Sequence, residues 1–176
     1  MAQTGESGLW PDDATFREAW LHEPVYGPLN SPKLVHLYFR LNQTYMSSKS
    51  ESVVFSKVPT IEHIMPQDWI TFWLLQDGTK GLDLLEQLDV SEEDPRAIAC
   101  RQRNATIQTI GNMTILSSEL NSAQSNSPWN QKRTEMAKHS LLPINQRLSE
   151  IEVWDENAIL NRGKDLFERA LKIWER

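Results

Sequence analysis

Two short segments constrain this chain most. Residues 60–67 read Thr-Ile-Glu-His-Ile-Met-Pro-Gln, and residues 110–121 read Ile-Gly-Asn-Met-Thr-Ile-Leu-Ser-Ser-Glu-Leu-Asn. Each holds a short β-branched run, in a chain whose other apolar residues mostly recur at helical spacing. The first run delivers Glu62 and His63 to a strand end, and Pro66 closes it. Asn112 opens the second, and Asn121 follows nine residues later at the start of a polar stretch.

The flanking sequence reads as helix. Asp12 or Asp13 caps a helix through about residue 22, with Phe16, Ala19 and Trp20 on one face. Ser31 and Pro32 start a second, whose stripe is Leu34, Leu37, Tyr38 and Leu41. Residues 53–64 supply a first strand or two, interrupted at Pro59. A short helix is expected over 68–75, an amphipathic one over 82–88, and another from Asp94-Pro95 through about residue 107. Residues 113–116 are the second strand. The serine-rich stretch 117–127 has a linker's composition, yet Ser117 or Ser118 can cap a short helix there. The two strands and this short helix make a ββα unit, and Ser127-Pro128 then begins another helix through about 139. A turn near Pro143 leads to a last helix over 155–175, burying Ile159, Leu166, Phe167, Ala170, Leu171 and Trp174.

The fold class expected is α+β and mostly helical, a small ββα core braced by flanking helices. Its divisions are 1–52 (tail and bracing helices), 53–140 (core with a helical insertion) and 141–176 (C-terminal helices), within one domain of 176 residues. The seven tryptophans read as core. No apolar run approaches the ~20 residues of a membrane helix, and residues 1–8 lack the basic start and apolar stretch of a secretory signal. A cytoplasmic protein is the expectation, and the three Asn-x-Thr triplets, at Asn42, Asn104 and Asn112, are then chance matches. One cysteine, Cys100, excludes an internal disulfide and a cysteine-rich zinc knuckle.

The net charge of −6 is unevenly spread. Residues 1–95 carry −9 and residues 96–176 carry +3, while 96–147 alone hold 7 basic side chains against 2 acidic ones. Clustered Lys and Arg attract phosphate locally, so this region is compatible with nucleic acid on one face. Solvated helix faces would give the same count.

His63 is the candidate general base, because imidazole titrates near neutrality and accepts a proton while mostly unprotonated. A histidine merely satisfied at a strand end is the alternative. His22, His36 and His139 lack such a setting and are assigned to surface or helix packing. Glu62 and Asn121 are the candidate metal ligands, since a carboxylate and an amide oxygen suit Mg²⁺ or Mn²⁺. Adjacent strand residues face opposite sides unless the strand ends there, which bears on Glu62. There is no Gly-x-x-x-x-Gly-Lys loop, no Gly-x-Gly-x-x-Gly and no Gly-x-Ser-x-Gly.

Taken with Leu120-Asn121, Ser125-Asn126, Trp129 and Lys132 in that order, the Glu-His-Ile-x-Pro-Gln and Ile-Gly-Asn blocks resemble a known family. It is the C-terminal nuclease domain of GmrSD-type modification-dependent restriction endonucleases, of the HNH or His-Me finger kind. Trp154, Arg162 and the Ala-Leu-Lys-Ile-Trp ending are also similar. The resemblance implies a ββα-metal fold, DNA as substrate and a role in defence against phage or foreign DNA. It implies that Asn112 shapes the strand so that a backbone carbonyl or its own side chain holds the catalytic imidazole. Asn126, Lys132, Arg133 and Arg103 are the expected DNA-binding residues. Where HNH nucleases often carry a further His or Lys after the ligand asparagine, this chain has Gln124. A nucleotide-hydrolysing or sensor partner with an Asp-Gly-Gln-Gln-Arg signature is expected on another domain or subunit, because that signature is absent here. The competing reading is a non-catalytic nucleic-acid-binding or protein-interaction module on the same scaffold.

Overall fold

The computed structural model describes residues 11–51 and 53–174. Residues 1–10, including Trp10 of the expected core tryptophans, lie outside them. In chain order come α1 (Asp13–His22), α2 (Ser31–Gln43), β1 (Thr60–His63), α3 (Leu84–Leu88) and α4 (Pro95–Thr106). A 3₁₀ turn (Ile110–Asn112) leads into β2 (Met113–Leu116), followed by α5 (Ser118–Gln124), α6 (Trp129–His139) and α7 (Pro143–Gln146). A second 3₁₀ turn (Arg147–Glu150) precedes α8 (Glu156–Ile173). The class is α+β, about 53% helical with one two-stranded antiparallel sheet.

Local sequence explains most helix starts. Asp12 accepts from the Thr15 amide at 2.7 Å, Ser117 from Leu120 at 3.2 Å and Asp155 from Ala158 at 2.8 Å, each filling an orphan donor of a first turn. Asp94 caps α4 through the amides of Arg96 and Ala97, with Pro95 in the first turn. The cap of α2 is Asn30 rather than Ser31, which already lies within the helix.

Three expected elements differ. Residues 53–59 form no strand, and Val54 and Val58 are 87% and 77% exposed. The ladder ends at the Thr60–Leu116 pair, because β2 stops where Ser117 caps α5. Residues 68–75 make turns instead of a helix. There the Phe72 and Trp73 amides both donate to the Trp69 carbonyl (3.2 and 2.9 Å), a single turn that does not continue, and Arg103 Nη1 donates to the carbonyls of Leu74 (2.8 Å) and Trp73 (3.4 Å) just after it. The amphipathic segment at 82–88 shortens to α3, opened by an Asp83–Glu86 capping box, and its Leu84, Leu85 and Leu88 face solvent.

Two apolar clusters hold the molecule. One gathers Ile64, Met65, Trp69, Trp73, Leu82, Trp129 and Trp154; the other joins Trp20, Leu34, Tyr38, Leu41, Met113, Ile115, Leu166 and Phe167. Helix α8 serves both, giving Ile159 to the first and Leu166, Phe167 and Ala170 to the second. Each large side chain so buried contributes about 1.5–3 kcal/mol. Phe16, Leu171 and Trp174 are only half-buried, and Ala19 is exposed. Cys100 is buried and unpaired. No helix among the described residues is long and apolar enough to cross a membrane.

The strand β2 is seated from behind by α8. Arg162, buried in α8, donates from Nη1 to the carbonyls of Gly111 (2.8 Å) and Met113 (2.6 Å). A Cβ at Gly111 would stand 2.1 Å from the Ile159 carbonyl oxygen, so glycine is required there by close approach. The block Ile-Gly-Asn is thus a docking point for α8 as well as the start of β2.

Candidate active site

The register sets where the site residues point. Glu62 pairs with Thr114 and His63 with Met113, so alternation sends Glu62 towards α5 and α6 and His63 towards the opposite face. Because β1 ends at His63, both still reach one cleft of about 300 Å³ at the strand's end. Pro66, Gln67, Asp68, Ser125 and Asn126 complete its lining. A roomier cleft of about 440 Å³ lies against α4, but its lining holds no histidine and its Glu156 is committed to Arg103.

His63 is half-buried. Its Nε2 lies 3.2 Å from the Gln108 side-chain oxygen, and the Tyr26 ring meets the imidazole edge-on at 4.6 Å between centroids. Burial lowers its pKa, a shift that the Gln108 bond opposes and the Lys132 charge reinforces. The neutral form, the one able to accept a proton, is therefore favoured. His22, His36 and His139 are exposed.

Asn112 is fully buried, and its amide is entirely occupied. Its oxygen accepts from the Met65 amide (2.9 Å) and from Trp154 Nε1 (3.0 Å). Its nitrogen donates to the carbonyls of Met65 (2.8 Å) and Ile107 (3.0 Å). The main-chain oxygen accepts from Ile64 at 2.8 Å. Asn112 therefore fixes the backbone just after His63, and the side chain on the imidazole is that of Gln108, which sequence reasoning had not singled out. Gln108 directly follows the Ile107 cap of α4, and no pattern in the sequence announces its contact.

Glu62 and Lys132 form a buried ion pair, Nζ to Oε1 2.5 Å, and the same ammonium donates to the His63 carbonyl at 3.0 Å. Burial pushes the Glu62 carboxyl up and the Lys132 ammonium down, each opposed by its partner. Asn121 donates from Nδ2 to the Thr60 hydroxyl (2.8 Å) and the Ile61 carbonyl (3.1 Å), pinning α5 to the beginning of β1. It does not line the cleft, whereas Asn126 does, donating to Asp68 at 3.2 Å. Among the described residues no three His, Cys, Asp or Glu side chains gather closely enough to hold a metal by themselves. The oxygen donors nonetheless fit a hard cation that keeps waters and substrate oxygens as its other ligands. Among the described residues Glu62 Oε2 and Asn121 Oδ1 accept no hydrogen bond, and Asp68 adds an exposed carboxylate.

The expected phosphate contacts divide. Lys132 is 0% exposed and Arg103 1%, and both are spent on interior partners: Glu62 for the first, Glu156 at 2.5 Å and the Trp69 ring for the second. Burial removes these two from a DNA-facing surface. Arg133 is half-buried and donates to the Ile151 carbonyl at 3.2 Å, and Asn126 is half-buried at the cleft. Within 96–147 the exposed basic side chains are Arg96, Arg101, Lys138 and Arg147. Gln124, at the end of α5, is fully buried with both amide atoms unpartnered among the described residues.

A helical α+β scaffold thus presents one histidine at the end of a two-stranded sheet, beside carboxylate and amide oxygens. The chain belongs to the GmrSD restriction endonuclease C-terminal domain family, whose model matches residues 10–169. Membership points to a restriction endonuclease-type function, with DNA as substrate. No curated protein and no solved structure matches the chain, so the assignment rests on the family model.

Proposed function

We propose that this domain is a metal-dependent DNA endonuclease of a restriction system acting against phage or foreign DNA, in which His63 takes the proton from the attacking water. The carrying observation is His63 itself, held by Gln108 and Tyr26 and lining a cleft with Glu62, Asp68 and Asn126. A half-buried, predominantly neutral imidazole is a competent base near neutral pH. Glu62 is the cleft's oxygen donor named from sequence, Asp68 and Asn126 are the donors that the cleft adds, and Asn121, the other donor named from sequence, lies outside its lining on α5. Mg²⁺ or Mn²⁺ bound there would polarise a phosphoryl oxygen and stabilise the leaving oxygen. Asn112 serves catalysis by fixing the backbone that carries His63, not by touching substrate. Sensing and nucleotide hydrolysis belong to a partner domain or subunit.

The ββα-metal reading is supported by the order β1, β2, α5 and by His63 at the strand end. One feature favours the rival, a non-catalytic DNA-binding module: the Lys132 ammonium already neutralises Glu62. Supercoiled plasmid with Mg²⁺ or Mn²⁺ decides between them. The nuclease gives nicked or linear DNA, EDTA stops it, and folded His63→Ala is inert. Cleavage by His63→Ala at the wild-type rate would remove the assignment.

A further inference from the structure

We infer that Gln108 is the positioning residue of this site: its side-chain oxygen holds His63 in the tautomer with the proton on Nε2, leaving Nδ1 as the atom that meets water. The inference rests on the reading of His63 as the base. A neutral imidazole has one N–H donor and one bare acceptor nitrogen, and which is which depends on its partner. An amide oxygen only accepts, so a 3.2 Å contact from Gln108 Oε1 to Nε2 requires the hydrogen at Nε2. Among the described residues no other hydrogen bond reaches the ring. The charged groups near it act elsewhere: Lys132 binds the His63 carbonyl, Glu62 binds Lys132, and Asp68 accepts from Asn126.

A second set of contacts makes Gln108 more than a chance neighbour. Its main-chain oxygen accepts from the amides of Val25 (3.0 Å) and Tyr26 (3.4 Å). Those bonds seat the loop between α1 and α2, whose Gly27 turns at φ +100°, so that Tyr26 lies edge-on to the imidazole. One residue thus fixes the proton of the base through its side chain and the aromatic wall beside it through its backbone. Its own position is set by the end of α4, where the Gln108 amide donates to the Ala105 carbonyl at 3.2 Å. A base oriented by a further group is what efficient proton transfer needs.

Substitution separates the two roles, because Gln108→Met removes the acceptor while keeping the chain length and the carbonyl that holds Tyr26. Long-range proton–nitrogen correlation spectra of ¹⁵N-labelled, metal-free protein, at pH about 8 where imidazole is neutral, report the tautomer directly. The wild type should show the Nε2–H form, Gln108→Met a mixture, and Gln108→Glu, which keeps an acceptor, the wild-type form. In plasmid nicking, Gln108→Met should lower kcat about 10- to 100-fold with KM for DNA unchanged, and Gln108→Glu should recover part of the loss. A wild-type Nδ1–H tautomer overturns the inference, and this reading does not depend on any variant folding. So does a folded Gln108→Met with wild-type tautomer or wild-type kcat. A wild type that holds the Nε2–H form through Gln108 yet never cuts DNA supports the tautomer assignment and overturns the nuclease reading instead.

Discussion

Lys132 reaches from α6 to Glu62, its ammonium 2.5 Å from the carboxylate, and so ties the second half of the molecule to the strand that carries His63. The lysine side chain is 0% exposed and the glutamate 10%. Two ions withdrawn from water this far are a cost that only their pairing offsets. Lys132→Met should therefore destabilise the fold by about 3–5 kcal/mol, because it strands a buried carboxylate. Adding Glu62→Gln should restore most of the loss. Urea unfolding of both single variants and the double gives the coupling; a single-variant loss below about 1 kcal/mol would mean the pair is not closed in solution.

The two asparagines of the second block should separate by their roles. Asn112→Ala strips partners from the Met65 amide and Trp154 Nε1, both buried, and at about 1–3 kcal/mol for each unsatisfied group the total loss should reach about 3 kcal/mol or more. Asn121→Ala removes two bonds from a half-buried position and should cost about 1 kcal/mol. If Asn121 Oδ1 meets the cation, that variant also needs more Mg²⁺ for half-maximal cleavage. An unchanged metal titration would assign Asn121 to bracing α5 alone.

What was legible in the sequence was what local chemistry dictates. Asp12, Asp94 and Ser117 announced their helices because a cap acts within a single turn. The β-branched run at 113–116 announced β2. Residues 53–59 misled because β propensity reflects packing against a partner, and β2 offers no backbone beyond Leu116. Residues 68–75 misled because only one turn closes there, on the Trp69 carbonyl, and the carbonyls that follow it are held by Arg103, some thirty positions away. At the site, His63 and its companions were legible as residue types. The distant pairings Lys132–Glu62 and Gln108–His63 were not, since no local rule encodes them, and net charge could not show that Lys132 and Arg103 turn inward.

Acid should expose the Arg103–Glu156 pair. Burial tends to raise the Glu156 pKa, but the bonds from Arg103, the backbone and Gln76 outweigh it and hold the carboxyl below its ordinary value of 4.5. Folded Glu156 thus releases its proton more readily than the unfolded chain does. Its contribution is present above the unfolded pKa and is lost as pH falls from there through the lower folded value. Glu156→Gln should then be less stable than wild type at neutral pH, and the gap should narrow as pH drops below about 4. Urea midpoints across that range test it; a gap that widens on acidification contradicts the sign.

DNA binding should be weak and salt-sensitive to a limited degree. With Lys132 and Arg103 inside, the 96–147 region offers exposed Arg96, Arg101, Lys138 and Arg147, with half-buried Arg133 at most a fifth contact. At about 0.9 counterions released per neutralised phosphate, the slope of log affinity against log salt should be no steeper than about −4.5. Arg96→Ala with Arg101→Ala should flatten it by about 2 if both face the duplex, and should do so equally for unrelated sequences, because phosphate contacts carry no base information. Lys132→Met, by contrast, should leave the slope unchanged wherever the fold survives. Fluorescence anisotropy with a labelled duplex in Ca²⁺ measures all three. A steep slope that relaxes on losing Lys132 would place that ammonium on the DNA, and would show that the Glu62 pair opens to receive it.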